Sequence, residues 1–187
     1  MLLVLLAIAC MLSVPLSGGS LRRLGDIRLR APWAAFCALA VQVLVLGLFT
    51  SGAAWWHALA HVATYALAAY FVWANRSIPG VVVIAAGGAL NLLAIAANQG
   101  VMPTSAWAER AAGLEPTGAF ANSAVLHHPH LLFFGDVIPV PLPLGLHNVL
   151  SVGDLLIYAG ALVLLHRTTR IAPTPWSMAS SHPATRH

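Results

Sequence analysis

The chain of 187 residues contains no lysine, and all nine of its Lys+Arg total are arginines. That removes the phosphate loop, which needs a lysine beside its glycines, and nucleoside-triphosphate chemistry of that kind goes with it. Charge of either sign is scarce, 7% of residues against 59% hydrophobic, with a mean hydropathy of +0.83. An ordinary water-facing domain carries about 25% charged residues. The two cysteines, Cys10 and Cys37, stand in separate apolar runs, which excludes a disulfide framework and a zinc knuckle and reads as two buried thiols packing as small hydrophobes. A G-x-S-x-G elbow is missing, and so is H-E-x-x-H, since Ala, Leu and Ala follow His57. Nucleic acid is excluded as a partner because the arginines are scattered between apolar runs and make no basic face.

What the chain has instead is apolar length. A bilayer core about 30 Å thick takes about 20 apolar residues in a helix. The runs at 2–16, 32–50, 54–74, 79–97 and 148–166 therefore predict an all-α fold, a polytopic membrane helix bundle of about five transmembrane helices. Pro32 and Pro79 suit first helical turns, where a missing N–H costs nothing. The first run lacks the basic flank of a cleaved signal and reads as a retained helix. Arginines 22, 23, 28, 30, 76, 167, 170 and 186 fall in alternate connections, with Arg110 alone in the opposite set. Since basic loops stay cytoplasmic, this predicts a multi-pass plasma-membrane protein with its N-terminus outside, its C-terminus cytoplasmic and the lipid bilayer as partner. Residues 1–166 read as a single domain, and 167–187, rich in Pro, Ser and Thr, as a disordered cytoplasmic tail.

The long connection 98–147, external in this topology, is the informative part, because connections of such length in compact proteins are seldom mere spacers. Thr104 or Ser105 can cap a short surface helix ending near Gly113. In "LLFFGDVIPVPLPLGL", Pro139, Pro141 and Pro143 forbid a helix and predict an extended segment folded back as a lid.

Polar side chains gather toward that side. His57, His61, Thr64 and Tyr65 share one helical stripe; Gly87, Asn91, Ala94 and Asn98 make a small-and-polar one; Asn148, Ser151, Asp154 and Tyr158 take a third. Ser151-Val-Gly-Asp154 has capping-box spacing, which would explain the carboxylate as a helix start. A helix starting at Asn148 would instead carry Asp154 almost two turns inward, where a carboxylate is a functional candidate. The ligand-binding candidates are Asn98, Asp136, Asn148, Ser151, Asp154, His61 and Tyr158. The metal candidates are His57, His61, His127, His128 and His130, through the H-x-x-x-H pair and the "HHPH" run. No cofactor is required by any motif.

The strings "NQGVMP" (Asn98–Pro103), "GDVIP" (Gly135–Pro139) and "NVLSVGD" (Asn148–Asp154), in that order after an arginine-rich first connection, resemble the bacterial membrane family catalogued as domain-of-unknown-function family 5317. The resemblance covers residues 2–166 and implies a small multi-pass bacterial membrane protein, without importing an activity. Matching positions are Asn98, Gly100, Met102, Pro103, Gly135, Asp136, Pro139, Asn148, Ser151, Gly153 and Asp154; the "HHPH" run lies outside these motifs.

Three roles follow from the residues. One is a binding or transport component holding a small polar group, lipid headgroup or cation under the Pro-rich lid. The second is a membrane enzyme acting on a lipid or cell-envelope headgroup, with Asp136 or Asp154 as base and His61 as partner. The third is an assembly protein whose polar residues only cap helices and pin the lid.

Overall fold

The computed structural model describes residues 2–47, 54–115, 123–143 and 146–170. The predicted tail lies outside these residues, apart from its first few positions. In chain order the elements are α1 (Leu2–Leu16), α2 (Pro32–Gly47), α3 (Ala54–Ala74), α4 (Val81–Ala97), β1 (Met102–Pro103), α5 (Ala106–Ala111), β2 (Ser123–Ala124), β3 (Asp136–Val140), β4 (Asn148–Ser151) and α6 (Val152–Thr169). Short 3₁₀ turns occupy Leu21–Asp26 and Leu132–Phe134.

The centre of the fold is an antiparallel pair, α4 against α6. Their backbones approach closely because glycine faces glycine: a Cβ on Gly87 would overlap the carbonyl of Gly153, and one on Gly153 would overlap the Asn91 side chain. A second pair, α2 against α3, is tied at one end by Asn75. Its amide accepts from the Arg30 N–H and donates to the Arg30 carbonyl, both at 2.8 Å. The α1 helix lies along α6, Ser13 and Ser17 meeting His166.

Two small sheets cap one end of the α4–α6 pair. β1 and β2 are parallel; β3 and β4 are antiparallel, with Asp136 opposite Ser151 and Val140 opposite Asn148. The proline-rich segment is extended as its sequence predicts, and Pro139 is accommodated because a two-stranded sheet consists only of edges. The α5 helix sits on this cap through Ala108 and Ala112, which are buried with Val149 against Leu114.

The predicted transmembrane bundle is corrected by this structure. Among the described residues no helix is long and apolar enough to cross a membrane. α1, α2 and α4 have 15, 16 and 17 residues, about 22–26 Å at 1.5 Å per residue, against a hydrocarbon core of about 30 Å. α3 is longer, at 21 residues, but is interrupted by His57, His61 and three tryptophans. The 18 residues of α6 include Asp154, His166 and Arg167. With the spans go the multi-pass assignment, the plasma-membrane location and the inside–outside topology derived from the arginines. The fold is not all-α either, since the region between α4 and α6 contributes strands. Composition recorded apolarity correctly: Ile8, Phe36, Leu39 and Val43 are large and exposed on α1 and α2. It did not record where each helix stops. The cysteines are also corrected, Cys10 being half-buried and Cys37 exposed.

Candidate functional site

The cap is built from helix ends and tight turns. At the end of α4, Asn98 closes the helix, Gln99 and Gly100 take left-handed φ values of 57° and 95°, and the Gly100 N–H reaches back to the Ile95 carbonyl at 2.9 Å. The Asn98 side chain donates to the carbonyls of Ala94 and His130, each at 2.7 Å, and accepts from the His130 N–H at 2.8 Å. Its amide is thereby occupied in holding the "HHPH" backbone. Further on, Gly135 passes so close to the Pro103 carbonyl that a Cβ would overlap it. This brings Asp136 beside Thr104, where the two residues form a parallel bridge.

Asp154 is the third residue of a capping box. Ser151 caps α6, its hydroxyl accepting from the Asp154 N–H at 2.9 Å, while the carboxylate accepts from the Ser151 N–H at 3.0 Å. The expectation that α6 begins at Asn148 is corrected, because Asn148–Ser151 pair with β3 as a strand. Yet the box does not exhaust the carboxylate. Asn91 on α4 donates to Asp154 Oδ1 at 2.9 Å and accepts from the Ser151 hydroxyl at 2.8 Å. Asn91, Ser151 and Asp154 therefore form one closed ring of hydrogen bonds locking the two helices, with Ser151 fully buried.

Next to this ring lies an acidic seam. Asp136 Oδ2 accepts from the Ser123 hydroxyl at 2.9 Å, and the Asp136 carbonyl accepts from the Ser105 N–H at 2.9 Å. Ser105 caps α5, and one turn on, Glu109 is turned into the protein, only 8% exposed. Thr104, 5% exposed, places its hydroxyl beside Asp136 without a hydrogen bond of ordinary geometry. Burial pushes the Asp136 carboxyl up to about 6; the hydrogen bond from Ser123 and the nearby Thr104 hydroxyl oppose this, and the charges of Asp154 and Glu109 add to it. Burial also raises the Glu109 carboxyl, partly countered by Arg110. Among the described residues the groups acting on Asp136 are hydroxyls and acids. Glu109 Oε2 and Thr104 Oγ1 are buried with no partner among the described residues.

Of the residues predicted from sequence, Asp136, Ser151 and Asp154 come together, and Tyr158 lies one turn along α6, near enough to sense the Asp154 charge. Asn98 and Asn148 do not join them: the first clamps His130, and the second accepts from its neighbour's N–H, Val149, at 2.9 Å. The side chains of His57 and His61 lie outside the described residues, so the carboxylate–imidazole pair has no described geometry. His127, His128 and His130 line an open hollow of about 430 Å³ with Asn98 and Gln99. Among the described residues no three His, Cys, Asp or Glu side chains are grouped to hold a metal ion. Sequence reasoning missed Thr104, Glu109 and Ser123 as neighbours of Asp136, and saw in Asn91 only a member of a small-and-polar stripe. A signal for Glu109 does exist, since it falls one turn after the Ser105 cap in a helix otherwise made largely of alanine.

Comparison with known proteins gives a family and no activity. Residues 26–166 match the family described as "Family of unknown function (DUF5317)". A relative named "Uncharacterized protein" from Thermotoga maritima is 33% identical over 106 residues, 57% of this chain and 61% of the relative. The chain thus matches less than two thirds of that relative's length. No solved structure matches.

Proposed function

The chain belongs to this family of unknown function, DUF5317, and from that premise we propose that it is a binding protein whose acidic seam takes a small amine, as an ammonium or guanidinium group. One observation carries this: the seam has a surplus of acceptors. Buried polar atoms are almost always satisfied, and leaving one unpaired costs about 1–3 kcal/mol. Here Glu109 Oε2 is an acceptor left unpaired among the described residues, near the raised carboxyl of Asp136. An ammonium or guanidinium group supplies only donors together with a positive charge. A metal ion fits less well, because no group of three ligating side chains is formed among the described residues. Asn91, Ser151 and Asp154 are the frame, since their bonds already satisfy one another.

Thermal unfolding with methylammonium, agmatine, calcium and sodium as separate additions tests the proposal. The amines should raise the midpoint in a concentration-dependent way that the E109Q variant abolishes. A shift with calcium alone, or equal shifts in wild type and E109Q, would refute it.

A further inference from the structure

At the opposite end of α6 from Asp154 the chain forms a second hollow, of about 290 Å³, lined by Ser17, Gly18, Gly19, His166, Thr169 and Arg170. Two helix C-termini meet there, and their exposed carbonyls would ordinarily favour cations. In this protein many of those carbonyls are already covered. Ser20 N–H donates to the Thr169 carbonyl at 3.1 Å and Gly19 N–H to that of Val14 at 2.9 Å. The Thr169 hydroxyl donates to the Leu165 carbonyl, and the Arg23 guanidinium to that of Arg170.

Arg170, which lines the hollow, is of the other sign. His166 Nε2 lies 2.9 Å from Ser13 Oγ and Nδ1 lies 3.3 Å from Ser17 Oγ. Both hydroxyls turn their protons to backbone: Ser13 to the Cys10 carbonyl at 2.6 Å, Ser17 to those of Ser13 and Val14 at 2.9 Å. Each serine oxygen thus also meets one ring nitrogen of His166, and the two contacts fix the imidazole as one wall of the hollow. Arg170 lines the hollow and the Arg23 guanidinium is bound to the Arg170 backbone, with Arg22 and Arg167 adjacent to them in sequence; Asp26 is the one acid of the 3₁₀ turn that carries Arg23.

We propose that this hollow binds a phosphate group, held by the guanidinium groups of Arg170 and Arg23 against the wall formed by His166. Guanidinium matches phosphate because its planar N–H fork pairs two oxygens at once. The site shares no residue with the amine seam and stands independently of it.

The full chain, isotopically labelled at histidine, is titrated with inorganic phosphate and separately with dihexanoyl phosphatidic acid in phosphate-free buffer, following the ring signals of His166. A saturable shift is expected, with affinity weakened roughly tenfold or more in R170Q and in R23Q and unchanged in R110Q. Saturation by inorganic phosphate identifies a free anion as ligand, and saturation by the lipid alone identifies a phospholipid; either supports the site. Absence of a saturable shift with both, or full affinity in R170Q and R23Q together, overturns it.

Discussion

Asn91 on α4 and Asp154 on α6 are joined by a hydrogen bond of 2.9 Å, although 63 residues separate them in sequence. The contact exists because Gly153 lets the Asn91 side chain lie against the α6 backbone. It turns a local helix cap into a tertiary lock, since the Ser151 hydroxyl that caps α6 also donates to Asn91.

The N91A variant should be destabilised by about 1–3 kcal/mol, because it strands the Ser151 hydroxyl and one carboxylate oxygen. D154N should cost more than the roughly 1 kcal/mol of a simple cap, since in either orientation its new amide N–H₂ faces a donor, the Asn91 amide or the Ser151 N–H. Chemical denaturation of both singles and the double gives the coupling directly, about 0.5–3 kcal/mol for residues in one network. Additive effects would mean that the two side chains act separately.

Packing of the α4–α6 seam predicts that G87V is strongly destabilising, while G88V is tolerated. A Cβ at Gly87 overlaps the Gly153 backbone, whereas one at Gly88 meets nothing within 4 Å. Helix propensity favours valine over glycine at both positions by a few tenths of a kcal/mol, so only the close approach separates them. Circular dichroism melts of the two variants decide it.

The Asn98 clamp predicts a local effect. In N98A the N–H of His130 loses its acceptor, so its amide exchange should accelerate by one to two orders of magnitude, on the scale of a lost bond of about 1–3 kcal/mol. Exchange at Arg30, held in the same manner by Asn75, should not change. Hydrogen exchange read residue by residue checks both.

Titration of Asp136 supplies a pH dependence with a definite sign. Its carboxyl is raised from 3.8 to about 6 in the folded chain, so between these values the native state binds more protons than the unfolded state. This group's contribution therefore favours folding at low pH and is lost as pH rises through about 6. D136N keeps an acceptor for Ser123 without the charge, so its midpoint relative to wild type should be higher at pH 8 than at pH 5. A difference independent of pH would show that the carboxyl is not raised.

Much of the cap was legible in the sequence because it is local. The three prolines spoke for an extended segment, Ser105 for a helix start, and the S-x-x-D spacing for a capping box, each fixed by atoms a few residues apart. The three motif strings of the family resemblance meet in this one region, through the Gly135–Pro103 approach and the β3–β4 pairing. What failed was the inference from apolarity to span. A long hydrophobic run does not show where a strand takes over from a helix, and Asn148–Ser151 became β4 because β3 lies beside it. The partners of Asp136 were likewise hidden, since Thr104 and Glu109 reach it only through the parallel bridge and the docking of α5.

The most direct test of the amine site is a calorimetric titration of the full chain with agmatine at pH 6 and pH 8, each in two buffers of different ionisation enthalpy. Near pH 6 Asp136 is about half protonated, and a cation bound beside it must expel that fraction. Release of up to about half a proton at pH 6, abolished in D136N, and almost none at pH 8 is the expected result. Binding without proton release at pH 6, or no binding at either pH, would contradict an amine held at Asp136.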